Sequence, residues 1–170
     1  MKTAVVSYSF TGNNGKLAQN VARKIAADYI PVTEQKERTT GTIMGDLMFG
    51  RTPRTEPQTL PNYDLIVFIG PVWCGHVATP LRGYLRLITN NMCRYAFCSI
   101  SGGAEGTNPK LAGELQKLTD REPGAVIDLH IADLMPQNPK PTWKMTSAYK
   151  LSMADVEKLA DTVVDAIKKI

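Results

Sequence analysis

The chain predicts an α/β fold: a five-stranded parallel sheet in the order 2-1-3-4-5, with helices on both faces. Three observations predict it. Five short apolar runs alternate with helical periodicities, the pattern of parallel strands joined by crossover helices. One run, Leu65-Ile66-Val67-Phe68-Ile69, has no polar residue, as a strand buried on both faces requires. Small-residue loops follow the first, third and fourth strands, and this strand order brings all three to one edge, where such sheets bind ligands.

The elements follow in order. A strand is expected over residues 3–8. A helix over 14–27 buries Leu17, Val21 and Ile25. The second strand, 29–33, contains Pro31, which suits an edge position. In 39–61, Ile43, Met44, Leu47, Met48 and Phe49 suggest a short amphipathic helix ended by Gly50 to Arg54. This segment reads either as a surface connection with an apolar anchor or as a flap near a ligand. The third strand covers 64–70. The next helix, 79–89, has Pro80 in its first turn and Leu81, Leu85 and Ile88 inward. A strand over 94–100, a helix over 109–119 and a strand over 125–131 follow. Proline-rich 135–149 reads as irregular and carries Trp143 and Tyr149. Ser152 caps a last helix to about 168, with Val156, Leu159, Val163 and Ile167 on one face.

At 170 residues, a single domain spanning 1–170 is expected. Hydrophobic residues form 43% of the chain, which fits a globular protein. No apolar run approaches the roughly 20 residues that span a bilayer, so no membrane partner is expected. The first strand begins at once, without a signal-peptide pattern. Cys74, Cys93 and Cys98 lack C-x-x-C spacing and read as reduced thiols in a cytoplasm. The net charge of +4 comes from scattered basic residues, not from the dense stripe that nucleic acid requires.

The first loop is Ser9-Phe10-Thr11-Gly12-Asn13-Asn14. It lies between an apolar run and a helix start. Helix N-termini carry unpaired amides and a positive dipole end, so this turn suits a phosphate. Ser9, Thr11 and Asn14 add side-chain donors. The alternative is a Ser/Asn cap on an ordinary turn. The spacing is neither G-x-G-x-x-G nor G-x-x-x-x-G-K-[ST], which disfavours dinucleotides and nucleoside triphosphates.

This loop resembles the flavodoxin phosphate loop, approximately S/T-x-T-G-N-T, with Asn14 replacing the last Thr. Pro71-Val72-Trp73-Cys74-Gly75 resembles the small-flavoprotein pattern P-x-W, a small residue and Gly. Ser101-Gly102-Gly103 resembles the family's third loop. The resemblance to the flavodoxin-like family covers essentially the whole chain. It implies a three-layer sandwich of the short-chain type and bound flavin mononucleotide (FMN). Ser9, Phe10, Thr11, Gly12, Asn13 and Asn14 would hold the phosphate. Pro71, Val72, Trp73, Cys74, Gly75 and His76, with Ser101, Gly102, Gly103, Glu105 and Gly106, would bracket the isoalloxazine ring.

Trp73 offers the ring a flat apolar surface, or plugs the core beside the third helix. Gly75 admits close approach at the flavin N5 edge, or is a plain turn glycine. The glycines of the third loop likewise admit close approach, and the amides of Gly102 and Gly103 would bond the pyrimidine edge. Glu105 contacts the ribityl chain or ring, or faces water. His76 donates to the flavin or moves protons, or is a satisfied loop histidine. Cys74 reads as a buried small thiol, and His130 as structural. No catalytic residue or metal site is assigned.

Three functional readings remain open. The first is an FMN-binding redox protein carrying electrons or hydride, with a redox partner of acidic surface. The second is an NAD(P)H- or quinone-dependent FMN oxidoreductase, in which 39–61 or 135–149 closes over the flavin. The third is a flavin-free binding module of the same fold.

Overall fold

The computed structural model describes residues 1–34, 38–49, 60, 62–90, 93–102 and 108–170. Its strands are β1 (Thr3–Ser7), β2 (Asp28–Pro31), β3 (Leu65–Ile69), β4 (Val72–Trp73), β5 (His76–Val77), β6 (Arg94–Ser101) and β7 (Ala125–His130). Five of them form one parallel sheet, ordered β2-β1-β3-β6-β7. In sheet-strand order this is 2-1-3-4-5, as the sequence predicts. Pro31 lies on the edge strand. The strands β4 and β5 form a separate antiparallel hairpin, which the sequence did not reveal.

The helices are α1 (Asn13–Lys24), α2 (Thr40–Phe49), α3 (Thr79–Arg86), α4 (Leu111–Thr119), α5 (Trp143–Ala148) and α6 (Met153–Ile167). Strand alternation divides the core into two layers. Val5, Leu65, Val67, Ile69, Ala96 and Cys98 face α1 and α6, meeting Leu17, Val21, Val156 and Val163. Ala4, Val6, Ile66, Phe68, Tyr95 and Phe97 face α3 and α4, meeting Leu81, Leu85, Leu111 and Leu115. Each fully buried Leu, Ile or Phe contributes roughly 1.5–3 kcal/mol. Among the described residues, no helix is long and apolar enough to cross a membrane.

The helix expected over 79–89 is α-helical only to Arg86 and tightens into a 3-10 turn over Leu87–Asn90, and two further differences have identifiable reasons. The first helix ends at Lys24 rather than near residue 27. There Ala26 adopts φ 50, and the Ala27 amide reaches back to the Ala22 carbonyl at 2.9 Å. This is a Schellman closure with Ala where the sequence signal would be Gly. The proline-rich segment, expected to be irregular, contains α5. One six-residue helix is too short to show a clear period.

Ser152 caps α6 as expected. Its hydroxyl accepts from the Asp155 amide at 3.1 Å, while the Ser152 amide donates to Asp155 Oδ2 at 2.9 Å, a reciprocal capping box. Hydrogen bonds from the Ser152 hydroxyl and amide hold the Asp155 carboxyl below its usual range, with help from the Tyr149 hydroxyl. A depressed folded value adds stability above the unfolded carboxylate range, and this is lost as pH falls through the folded value. We expect Ser152→Ala to cost about 1 kcal/mol near neutrality. In urea melts at several pH values the difference from the parent should shrink below about pH 4. A pH-independent difference would contradict the capping account.

Candidate functional site

The chain leaves β1, β3 and β6 side by side at the carboxyl edge of the sheet. The Tyr8 amide donates to the Ile69 carbonyl (3.1 Å), and the Gly70 amide to the Cys98 carbonyl (3.0 Å). These bonds extend the sheet register to the loop starts.

In the first loop, Gly12 is the N-cap of α1 at φ 93, and no side chain caps the helix. The Lys16 amide closes the first turn on the Gly12 carbonyl (3.0 Å). Ser9 Oγ is buried without a hydrogen-bond partner among the described residues. It lies against Gly15, where an added Cβ would stand 3.7 Å from that oxygen and 3.3 Å from Ser9 Cβ. A buried hydroxyl without a partner is costly unless something accepts from it.

Asn13 and Asn14 act differently from the expectation for Asn14 as a side-chain donor to phosphate. Asn14 Nδ2 donates to the Ile100 carbonyl (3.2 Å), and its Oδ1 accepts from the Ile100 amide (3.1 Å). Asn13 Nδ2 donates to the Tyr149 carbonyl (2.9 Å), and its Oδ1 accepts from the Leu151 amide (3.1 Å). Both side chains are buried and spent on the protein. Only their backbone amides remain for a ligand.

The second loop is the β4–β5 hairpin. Cys74 and Gly75 form its turn, both with positive φ (49 and 84), as a tight two-residue hairpin turn requires. Cys74 is therefore exposed, not the buried thiol expected, because the turn tip projects it. Gly75 meets the need for a turn glycine. Its carbonyl accepts from Asn108 Nδ2 (2.9 Å), and an added Cβ would stand 3.7 Å from that same nitrogen. Pro71 and Val72 are half-buried, with the Pro71 carbonyl accepting from the Ala78 amide (3.0 Å).

Trp73 is half-buried. Its ring packs edge-on against Tyr8 (centroids 5.9 Å) and Phe10 (6.2 Å). It thus touches both the core layer and the first loop. Phe10 is largely exposed. His76 is exposed, with Nδ1 3.1 Å from Glu114 Oε1. Glu114 also accepts from the Val77 amide (3.0 Å) and from Arg82 Nη2 (3.3 Å). One carboxylate on α4 therefore fastens the hairpin and orients the imidazole.

In the third loop, Ser101 Oγ lies 3.1 Å from His130 Nδ1. Gly102 is crowded by α5: an added Cβ would meet the Thr146 carbonyl oxygen at 3.0 Å. Its carbonyl also accepts from the Thr146 hydroxyl. The close approach expected of Gly102 is thus to a helix of this chain. Gly103, Glu105 and Gly106 lie outside the described residues.

Sequence reading missed the neighbours that complete this edge. Lys150 Nζ donates to the Thr11 carbonyl (2.7 Å). On the other side, the Tyr8 hydroxyl donates to Glu34 (3.0 Å), and Glu34 pairs with Arg38 (2.6 Å), which also pairs with Asp46 on α2. Burial and the Glu34 carboxylate hold the Tyr8 phenol well above its usual range. Burial opposes the Arg38 charge, but Glu34 and Asp46 more than offset it. Contacts from remote parts of the chain leave no local spacing to read.

Asn14→Ala would strand the buried Ile100 amide and carbonyl, which should cost about 2–3 kcal/mol. Urea unfolding checks it, and a parental midpoint would show that the clip carries no energy.

No protein-family model and no curated protein matches the sequence. Solved structures do. A flavoprotein from Lactobacillus acidophilus NCFM, in complex with FMN, is 26% identical with a TM-score of 0.54. The match covers 76% of this chain and 91% of that one. A protein from Bacteroides uniformis assigned as a flavoprotein is 17% identical (TM-score 0.64, 94% and 97% covered). Another, from Bacteroides eggerthii, is 15% identical (TM-score 0.63, 98% of each). The two Bacteroides likenesses bear on the fold alone.

Proposed function

We propose that this chain, a member of the flavodoxin-like flavoprotein family, binds FMN at the carboxyl edge of its sheet and carries electrons or hydride through it. The observation that carries this reading is the first loop. Uncapped α1 amides lie beside a buried Ser9 hydroxyl that has no partner among the described residues. That donor set fits a phosphate, and a structural likeness at 26% identity is to an FMN complex.

When bound, FMN supplies one- or two-electron chemistry. The protein's part is to bind, orient and shield. Ser9 and the amides at the start of α1 would hold the phosphate. Trp73, braced by Tyr8 and Phe10, would flank the ring. The hairpin held by Glu114 would fix the position of His76. The net charge of +4 suits a redox partner of acidic surface.

Titrating the apoprotein with FMN should quench the flavin fluorescence and give a yellow complex. Ser9→Ala should weaken FMN about tenfold, the loss of one charge-assisted hydrogen bond. Trp73→Ala should weaken FMN and riboflavin alike. An unquenched titration would remove the reading and favour a flavin-free module.

The His76–Glu114 pair favours a second reading, an NAD(P)H- or quinone-dependent oxidoreductase. An imidazole oriented by a carboxylate, with its other edge exposed, can pass a proton to a reduced acceptor. Under that reading the FMN-loaded protein should oxidise NADPH in the presence of a quinone, with His76→Ala lowering kcat more than KM. No turnover, with rapid reduction by a partner protein, would favour the carrier.

A further inference from the structure

We infer that Lys150, on the segment before α6, is the fixed counter-charge to the ligand's phosphate and sets the preference for a phosphorylated flavin over riboflavin. This inference rests on the FMN reading and adds to it a charge that the phosphate-loop sequence does not contain.

The geometry begins with Asn13. Its side chain bonds the Tyr149 carbonyl and the Leu151 amide, gripping the backbone on either side of Lys150. The intervening side chain is thereby fixed to the first loop, with Nζ 2.7 Å from the Thr11 carbonyl. An ammonium has three donors, and that carbonyl takes one.

Charge balance supplies the second argument. Three other cations of the fold meet carboxylates. Lys24 pairs with Glu157 and Asp161, Arg38 with Glu34 and Asp46, and Arg82 with Glu114. Among the described residues, Lys150 has only the neutral Thr11 carbonyl. Lys16 repeats the pattern, donating only to the Leu151 carbonyl (3.2 Å). Lys16 also sits in the first turn of α1, which has no acidic residue, where the helix dipole disfavours a cation.

The seam between first loop and segment 149–151 thus gathers helix amides, a buried hydroxyl without a described partner and two ammonium groups that no described carboxylate pairs; the nearby Asp155 carboxylate is taken up by the Tyr149 hydroxyl and the α6 cap. A phosphate carries about −1.5 to −2 charges at neutral pH and is the complement of that set. Riboflavin lacks it.

The test measures FMN and riboflavin dissociation constants by flavin fluorescence, at low and high salt, for the apoprotein of the full chain and its Lys150→Met and Lys150→Arg variants. Lys150 is exposed, so both variants should fold, and circular dichroism checks this. Lys150→Met should weaken FMN about tenfold, leave riboflavin within twofold and flatten the salt dependence of FMN binding. Lys150→Arg should restore most of the affinity. A Lys150→Met variant that binds FMN like the parent overturns the inference while leaving the FMN reading intact. Equal weakening of both flavins also overturns it, making Lys150 a structural clasp. A parent that binds neither flavin defeats the FMN reading, and this inference with it.

Discussion

The site depends on two amide side chains in the first turn of α1. Asn14 pairs with both backbone groups of Ile100 at the end of β6. Asn13 pairs with the backbone on either side of Lys150. Each asparagine offers one donor and one acceptor to backbone groups, the pairing a neighbouring strand would make. The two clips join segments 86 to 138 residues apart. They hold the β1 loop, the end of β6 and the segment before α6 in one frame. Because these bonds are buried or nearly so, breaking them leaves polar groups without water, which makes the frame stiff.

This arrangement divides the work of one helix turn. Side chains at positions 13 and 14 point into the protein and fix the loop. The backbone amides of the same turn are left uncapped at the sheet edge. A side-chain cap would satisfy those amides and remove the reason for an anion to bind. The charge pattern agrees. Carboxylates fasten the hairpin through Glu114 and α2 through Glu34 and Asp46, away from the α1 terminus. The cations at the first loop remain unbalanced within the described chain.

The strand order and both core layers were legible in the sequence because their signals are periodic and local. Leu65 to Ile69 could only be a strand buried on both faces, and Leu81, Leu85 and Ile88 could only face one way. The three loops were legible because Gly, Asn and Ser cluster where the apolar runs stop. What each loop residue touches was not. Gly102 is small because Thr146 stands against it, and Asn14 turns inward to a strand in the middle of the chain. Neither contact has a spacing that a one-dimensional reading could find. The hairpin was hidden because Cys74 occupies a left-handed position where Asn or Gly would be the usual signal. Lys150 was hidden just past a proline-rich stretch without a period, and only the folded chain brings it to Thr11.

The central claim is that one cleft, framed by the α1 terminus and the end of β6, receives the phosphorylated ligand. Amide NMR of the apoprotein titrated with FMN tests it most directly. The account predicts the largest shifts at the amides of Thr11 to Gly15, with linked shifts at Ile100 to Gly102 and at Lys150. Shifts confined to another face of the sheet, or no saturable shifts at all, would contradict it.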